Sequence, residues 1–152
     1  MKTRLTKTIM GNLVAAAMAF GMSGTVRAGA DNAAQVCSEH TLRSSYVWTF
    51  DGYANFGGTL VPKAVMQGIR FNGDGTTINT FGTVNIGGTI IIDATGGVGT
   101  YTVAADCTGT LAITGGPSFN MYVGPGAQTL WITQIVGAGA TGLGVGTATR
   151  LP

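Results

Sequence analysis

Residues 65–81, VMQGIRFNGDGTTINTF, contain the clearest structural signal in the sequence. In residues 65–71, Val65, Ile69 and Phe71 share one face with Gln67 and alternate with Met66, Gly68 and Arg70, a period typical of a β-strand with one buried face. Residues 72–75, Asn-Gly-Asp-Gly, have the composition of a tight hairpin turn. Residues 76–81 are rich in threonine and predict a second strand. The stretch therefore predicts an antiparallel β-hairpin.

The same pattern continues on both sides of this hairpin. Residues 46–50, Tyr-Val-Trp-Thr-Phe, alternate between aromatic and smaller side chains, and Asp51-Gly52 predicts the end of that strand. Further short apolar runs follow, and each is separated from the next by glycine-rich turns. Glycine disfavours helices, whereas valine, isoleucine, threonine and aromatic residues favour strands. The sequence thus predicts about eight or nine short strands with little helix.

Short connections imply antiparallel pairing, and about eight strands are enough to close a small barrel. We therefore predict an all-β protein, a single small antiparallel β-barrel of about eight strands. The alternative is a β-helix, because residues 76–99 resemble one coil of a solenoid. Gly-Thr pairs recur only at irregular intervals, which argues against a solenoid repeat.

Residues 1–30 have the three parts of a cleaved secretory signal peptide. Lys2, Arg4 and Lys7 precede an apolar stretch of about 14 residues, and an Ala-Gly-Ala run follows before the predicted cleavage site. A membrane-spanning helix needs about 20 apolar residues, so no transmembrane anchor is expected. We predict a signal peptide, a β-barrel domain over residues 31–152, and a secreted or periplasmic location.

The net charge of the protein depends on this signal. The whole chain carries a formal charge of +2, but four of its eight basic residues lie in the predicted signal and all six acidic residues follow it. Removal of the signal gives 4 − 6 = −2. Because nucleic-acid binding proteins usually carry a basic patch, no nucleic-acid partner is expected.

Cys37 and Cys107 both lie in the predicted mature chain. In an oxidising compartment an even pair of cysteines predicts one disulfide, here between positions 70 residues apart. A redox pair or a metal site is the alternative. The sequence has no Cys-x-x-Cys motif and only one histidine, His40, so we expect neither a metal nor a cofactor.

Three stretches together resemble a family of small secreted bacterial proteins. They are residues 37–47, CSEHTLRSSYV; residues 99–111, GTYTVAADCTGTL; and the hairpin at residues 68–75, where Asn72 stands at a position usually occupied by aspartate. The Asp-Cys-Thr-Gly-Thr element is the most specific part. The resemblance implies a disulfide between the two cysteines and a small antiparallel barrel, distantly similar to lipocalins and allene oxide cyclases. It implies no catalytic residues.

Residues with catalytic chemistry are few. Glu39 and His40 are adjacent in sequence, so their side chains do not face each other in a regular element. The serines leave a Ser/His/Asp triad open, but no Gly-x-Ser-x-Gly elbow occurs. Residues 72–75 lack the later ligands and the closing glutamate of a calcium loop. The catalytic residues, if any, are therefore unknown.

Aromatic side chains form the most distinctive candidate site. A set facing the barrel interior would either pack as a core or line an apolar pocket with a few polar groups. Tyr46, Trp48 and Phe50 share one face of the first strand, and Phe71, Tyr101 and Trp131 belong to this set only if their faces also point inward. The candidate ligand-binding residues are the aromatic side chains and their polar neighbours: Tyr46, Trp48, Phe50, Gln67, Arg70, Phe71, Tyr101 and Trp131.

Three functions fit these predictions. The first is an exported barrel that binds a small hydrophobic molecule in its interior. The second is an isomerase or cyclase that holds a reactive hydrophobic substrate there. The third is a structural or surface-interaction protein with a filled core. The sequence gives no oligomeric state.

Overall fold

A computed structural model describes residues 35–93, 95–136 and 142–152, and the predicted signal peptide lies outside these ranges. The described residues form nine strands and two short 3₁₀ turns, at Glu39–Thr41 and Pro125–Ala127. The strands are β1 (Arg43–Phe56), β2 (Thr59–Asn72), β3 (Thr76–Ile86), β4 (Thr89–Asp93), β5 (Val98–Val103), β6 (Thr108–Ile113), β7 (Ser118–Val123), β8 (Thr129–Val136) and β9 (Leu143–Arg150). Within these ranges, no helix has the length and apolar character needed to cross a membrane.

The strands form one sheet that closes on itself. Their order is β2-β1-β9-β8-β7-β6-β5-β3-β4, and a further pairing of β2 with β3 completes a barrel of eight strands. The ninth strand, β4, pairs with residues 83–86 at the C-terminal end of β3. Every pairing between these strands is antiparallel. The predicted antiparallel β-barrel is confirmed, and the β-helix alternative is wrong because the strands pair as neighbouring hairpins.

The hairpin predicted over residues 65–81 is present, formed by β2 and β3. Residues Val65 and Phe71 lie on β2, which pairs with β3 from Phe71↔Thr77 onward. Gly73 and Gly75 in the turn adopt φ values of 84° and 86°, a backbone conformation that suits glycine. Asp74 accepts hydrogen bonds from the backbone N–H and hydroxyl of the first residue of β3.

Strand β1 continues past the point where the sequence predicts its end. Asp51-Gly52 lies inside β1, and Gly52 pairs with Gly144 of β9. A Cβ atom at Gly52 would collide with the backbone of Leu143 and Gly144. The glycine therefore permits a close approach of two strands, not a turn. As a result β1 and β2 are each 14 residues long, and they extend beyond the shorter strands β5, β6 and β7.

The predicted disulfide is confirmed. Cys37 and Cys107 are bonded and buried, at the end of the barrel that also bears the β2–β3 turn. The backbone N–H of Cys37 donates to Ala105 O at 3.2 Å, so the segment before β1 is also attached to the β5–β6 turn. We call this end of the barrel the closed end. The opposite end, with the β1–β2 and β6–β7 turns, is the open end.

Candidate functional site

Side chains fill the interior of the closed end. Leu42 precedes β1 and is completely buried there, among inward-facing residues of every neighbouring strand. Tyr46, Phe71 and Tyr101 pack edge to face, with ring centroids 5.5 Å apart for the first pair and 4.9 Å for the second. This half of the barrel is a packed hydrophobic core.

The two buried tyrosines find their hydrogen-bond partners within the protein. Tyr46 Oη donates to Ala127 O at 2.8 Å. Tyr101 Oη lies 2.8 Å from Glu39 O and accepts from Gly73 N at 3.0 Å. Burial raises the pKa of both phenols above the ordinary value. Their hydroxyls therefore close the end of the barrel and do not face the open end.

The interior of the open end contains a cavity of about 580 Å³. Most of its lining is apolar, and six polar side chains interrupt that lining. The main apolar lining residues are Trp48, Phe50, Val65, Val84, Ile113 and Phe119. The polar lining residues are Asn55, Lys63, Gln67, Asn79, Thr114 and Gln134. We call this space the open-end cavity.

An aromatic cluster separates the open-end cavity from the packed closed end. Trp48 and Phe119 contact edge to face with centroids 4.7 Å apart, and Phe50 lies 5.6 Å from Phe119 and 6.0 Å from Trp48. All three side chains are almost completely buried. They form a rigid apolar base because each ring is held by the other two.

Glycines of β9 make space for this base. Gly144 lies next to β1 on the inner face, and a Cβ atom there would lie 2.5 Å from the ring of Phe50. The sequence of β9, LGVGTATR, places glycine at two successive inward positions, Gly144 and Gly146. The Phe50 side chain occupies the space that side chains at these two positions would otherwise need.

Lys63 is the titratable side chain among the described lining residues. Its ammonium donates to Gln134 Oε1 at 2.7 Å and lies 4.8 Å from the centroid of the Phe50 ring. Burial lowers the pKa of Lys63 below its ordinary value. These contacts place the positive charge of this β2 side chain between Phe50 of β1 and Gln134 of β8.

Some buried polar atoms of the barrel interior have no hydrogen-bond partner. They are Trp48 Nε1, Asn79 Oδ1 and Thr77 Oγ1. Trp48 and Asn79 both line the open-end cavity. A buried polar group without a partner costs about 1–3 kcal/mol, so such groups are uncommon in folded proteins. These atoms are themselves almost inaccessible to solvent, so they do not add polar surface to the cavity.

The predicted ligand residues divide into three groups. Trp48, Phe50 and Gln67 line the open-end cavity. Tyr46, Phe71 and Tyr101 belong to the packed closed end.

The third group, Arg70 and Trp131, points to the outside of the barrel. Trp131 is 48% exposed and stacks at a tilt on Tyr122 of the neighbouring strand, so its face does not point inward.

The sequence analysis missed Lys63, Asn79 and Gln134. Lys63 is in phase with the inward series of β2, two residues before Val65, but Pro62 predicts a connection at that point. Gln134 is in phase with the buried residue Ile132. The inward alternation of β2, extended from Val65 back to Lys63, and that of β8, extended from Ile132 on to Gln134, identify both side chains.

The residues considered for catalysis lie far from the cavity. His40 is exposed in the first 3₁₀ turn, and the Glu39 carboxylate accepts a hydrogen bond from Val103 N at the closed end. Among the described residues, no group of three or more His, Cys, Asp or Glu side chains is placed to hold a metal ion. The aspartates of two turns, Asp74 and Asp106, accept hydrogen bonds from the threonines two residues later, which lowers their pKa values.

No family model, curated protein or solved structure matches the chain.

Proposed function

We propose that the protein is an exported β-barrel that binds a small hydrophobic molecule in the open-end cavity. The observation that carries the proposal is an apolar cavity of about 580 Å³ in a barrel whose other half is filled. Protein interiors are close-packed and contain few voids larger than a water molecule. Ligand pockets, in contrast, measure roughly 300–1,000 Å³ and combine an apolar lining with a few polar groups.

The volume limits the size of the ligand. At roughly 30 Å³ per non-hydrogen atom, the share of one water molecule in the liquid, the cavity of about 580 Å³ holds fewer than about twenty such atoms. A medium-length alkyl chain fits this limit.

Export is the second part of the proposal. A disulfide is stable in an oxidising compartment, and the Cys37–Cys107 bond is consistent with a secreted or periplasmic protein. The signal-like residues 1–30 and the resemblance to small secreted bacterial barrels support the same location.

An isomerase or cyclase is the second candidate function. The observation that favours it is Lys63, an amine with a lowered pKa in an apolar cavity, because such an amine can serve as a general base. Lipophilic substrates that turn over with the wild-type protein but not with Lys63→Met would identify the enzyme. Binding without turnover would identify a carrier.

The two tryptophans make the binding test specific. Trp131→Phe leaves Trp48, in the cavity base, as the reporter, and Trp48→Phe leaves Trp131 on the outer face. Titration with dodecanol is expected to change the emission of Trp48 in a saturable way and to leave the emission of Trp131 unchanged. No saturable change in Trp48, or an equal change in both variants, would contradict binding in the cavity.

A filling substitution provides the second test. Val65 lines the cavity, and Met66, its neighbour on the same strand, is exposed on the outer face. Val65→Phe adds a ring to the cavity and is expected to weaken dodecanol binding by about tenfold or more, since less apolar surface is then buried. Met66→Phe adds the same ring outside and is expected to leave binding unchanged. Equal effects of the two substitutions would argue for a surface site.

A further inference from the structure

The ammonium group of Lys63 lies inside the barrel without a carboxylate partner. It donates one hydrogen bond, to Gln134 Oε1 at 2.7 Å, and contacts the face of the Phe50 ring. An ammonium has three donor hydrogens, so its capacity to donate is not exhausted. No described carboxylate forms an ion pair with it, and burial is the cause of its lowered pKa.

Lys63 is half-buried, so partial desolvation of its ammonium costs free energy that no described opposite charge offsets. A charge removed from water is normally paired with an opposite charge. The long stem of Lys63 would allow the ammonium to extend into solvent from the rim, yet it turns inward to Gln134, a side chain of β8 that is itself almost completely buried. The fold therefore holds a positive charge at the cavity side of β8.

We infer that the ligand of the open-end cavity is an amphiphile with an acidic head group, a medium-chain carboxylate, whose head binds Lys63 and whose chain lies against Val84 and Ile113. The inference rests on the proposed function and adds the chemical class of the ligand. A carboxylate suits the site because the described lining carries one positive charge, which balances one negative charge. The other polar lining groups are uncharged amides and the hydroxyl of Thr114.

The lining residues support this arrangement. Gln134 of β8 holds the Lys63 ammonium, whereas Val84 of β3 and Ile113 of β6 contribute apolar side chains to the same cavity. A chain lying against these residues would remove methylene groups from water, which favours binding. A fatty acid thus matches both the ammonium and the apolar part of the lining.

The first experiment compares three probes of equal chain length on Trp131→Phe protein: dodecanoate, dodecanol and dodecylammonium. At neutral pH the first is an anion and the last a cation. We expect dodecanoate to bind at least about tenfold more tightly than dodecanol, because hydrogen bonds to charged groups are the stronger ones, and dodecylammonium to bind most weakly. Equal affinities, or the reverse order, would overturn the inference while leaving a hydrophobic site. Failure of all three to bind would refute the proposed function itself.

The second experiment changes the charge of the protein. Lys63→Met is expected to weaken dodecanoate binding by about tenfold to a hundredfold and to abolish the preference for dodecanoate over dodecanol. Lys63→Arg retains the charge and should preserve the preference for the anion. Arg70→Met, which removes the same charge from the outer face of the same strand, is the matched control. An Arg70→Met effect as large as that of Lys63→Met would show that only the net charge matters, and would overturn the inference.

Discussion

Removal of the disulfide is expected to lower the stability of the barrel strongly. The Cys37–Cys107 bond closes a loop between positions 70 residues apart. A loop of that length restricts the unfolded chain enough to contribute about 4 kcal/mol to the free energy of unfolding. The double variant Cys37→Ala/Cys107→Ala removes the bond without leaving a thiol.

Urea denaturation followed by tryptophan fluorescence measures this loss. For a urea dependence of about 2 kcal/mol/M, typical of a small domain, the midpoint should fall by about 2 M. The variant should remain able to bind dodecanol, because the bond lies at the closed end and the cavity at the open end.

Two results would refute this reasoning. A midpoint that falls by less than about 0.5 M would show that the loop-closure argument does not hold for this fold. A variant that folds but loses dodecanol binding would show that the closed end shapes the cavity. Unreduced wild-type protein unfolded in urea is the control, and it should contain no free thiol.

Three further predictions concern the packed interior. Gly144→Val is expected to displace the Phe50 ring and to lower the free energy of unfolding by about 1–3 kcal/mol. Val145→Ala, on the outer face, is the control and should change that free energy little. Thermal unfolding measures the stability of both variants. Tyr46→Phe should cost about 1–2 kcal/mol in urea denaturation, because it leaves a buried carbonyl without its donor. The pKa values of Tyr46 and Tyr101 are raised in the folded state, so these two phenols should add no pH dependence to stability below about pH 10 and should lower stability as the pH rises through their folded values. The urea midpoint measured against alkaline pH checks this prediction, and a flat alkaline profile would contradict it.

The sequence predicted the architecture because the relevant signals are local. Alternation along residues 65–71 and the turn at residues 72–75 depend only on neighbouring residues, and both appear in the structure. The even pair of cysteines likewise predicted the bond. Barrel closure followed from the number of strands and their short connections.

The cavity was harder to predict because it depends on distant parts of the chain. Alternation defines two faces of a strand but does not say which face is inside when both are apolar. On β8 the inward series contains Leu130 and Ile132, and Trp131 lies outside. The length of β1 depends on Gly52 meeting Gly144, which is 92 positions later in the sequence. Only the folded sheet shows that these extended strands surround a space.

The binding of a carboxylate amphiphile in the open-end cavity is tested most directly by a crystal structure of the protein grown with dodecanoate, supported by a solution affinity. The account predicts an alkyl chain against Val84 and Ile113 and a carboxylate oxygen within hydrogen-bond distance of Lys63 Nζ. A cavity closed by its own side chains, with dodecanoate absent or bound only on the outer face, would contradict it.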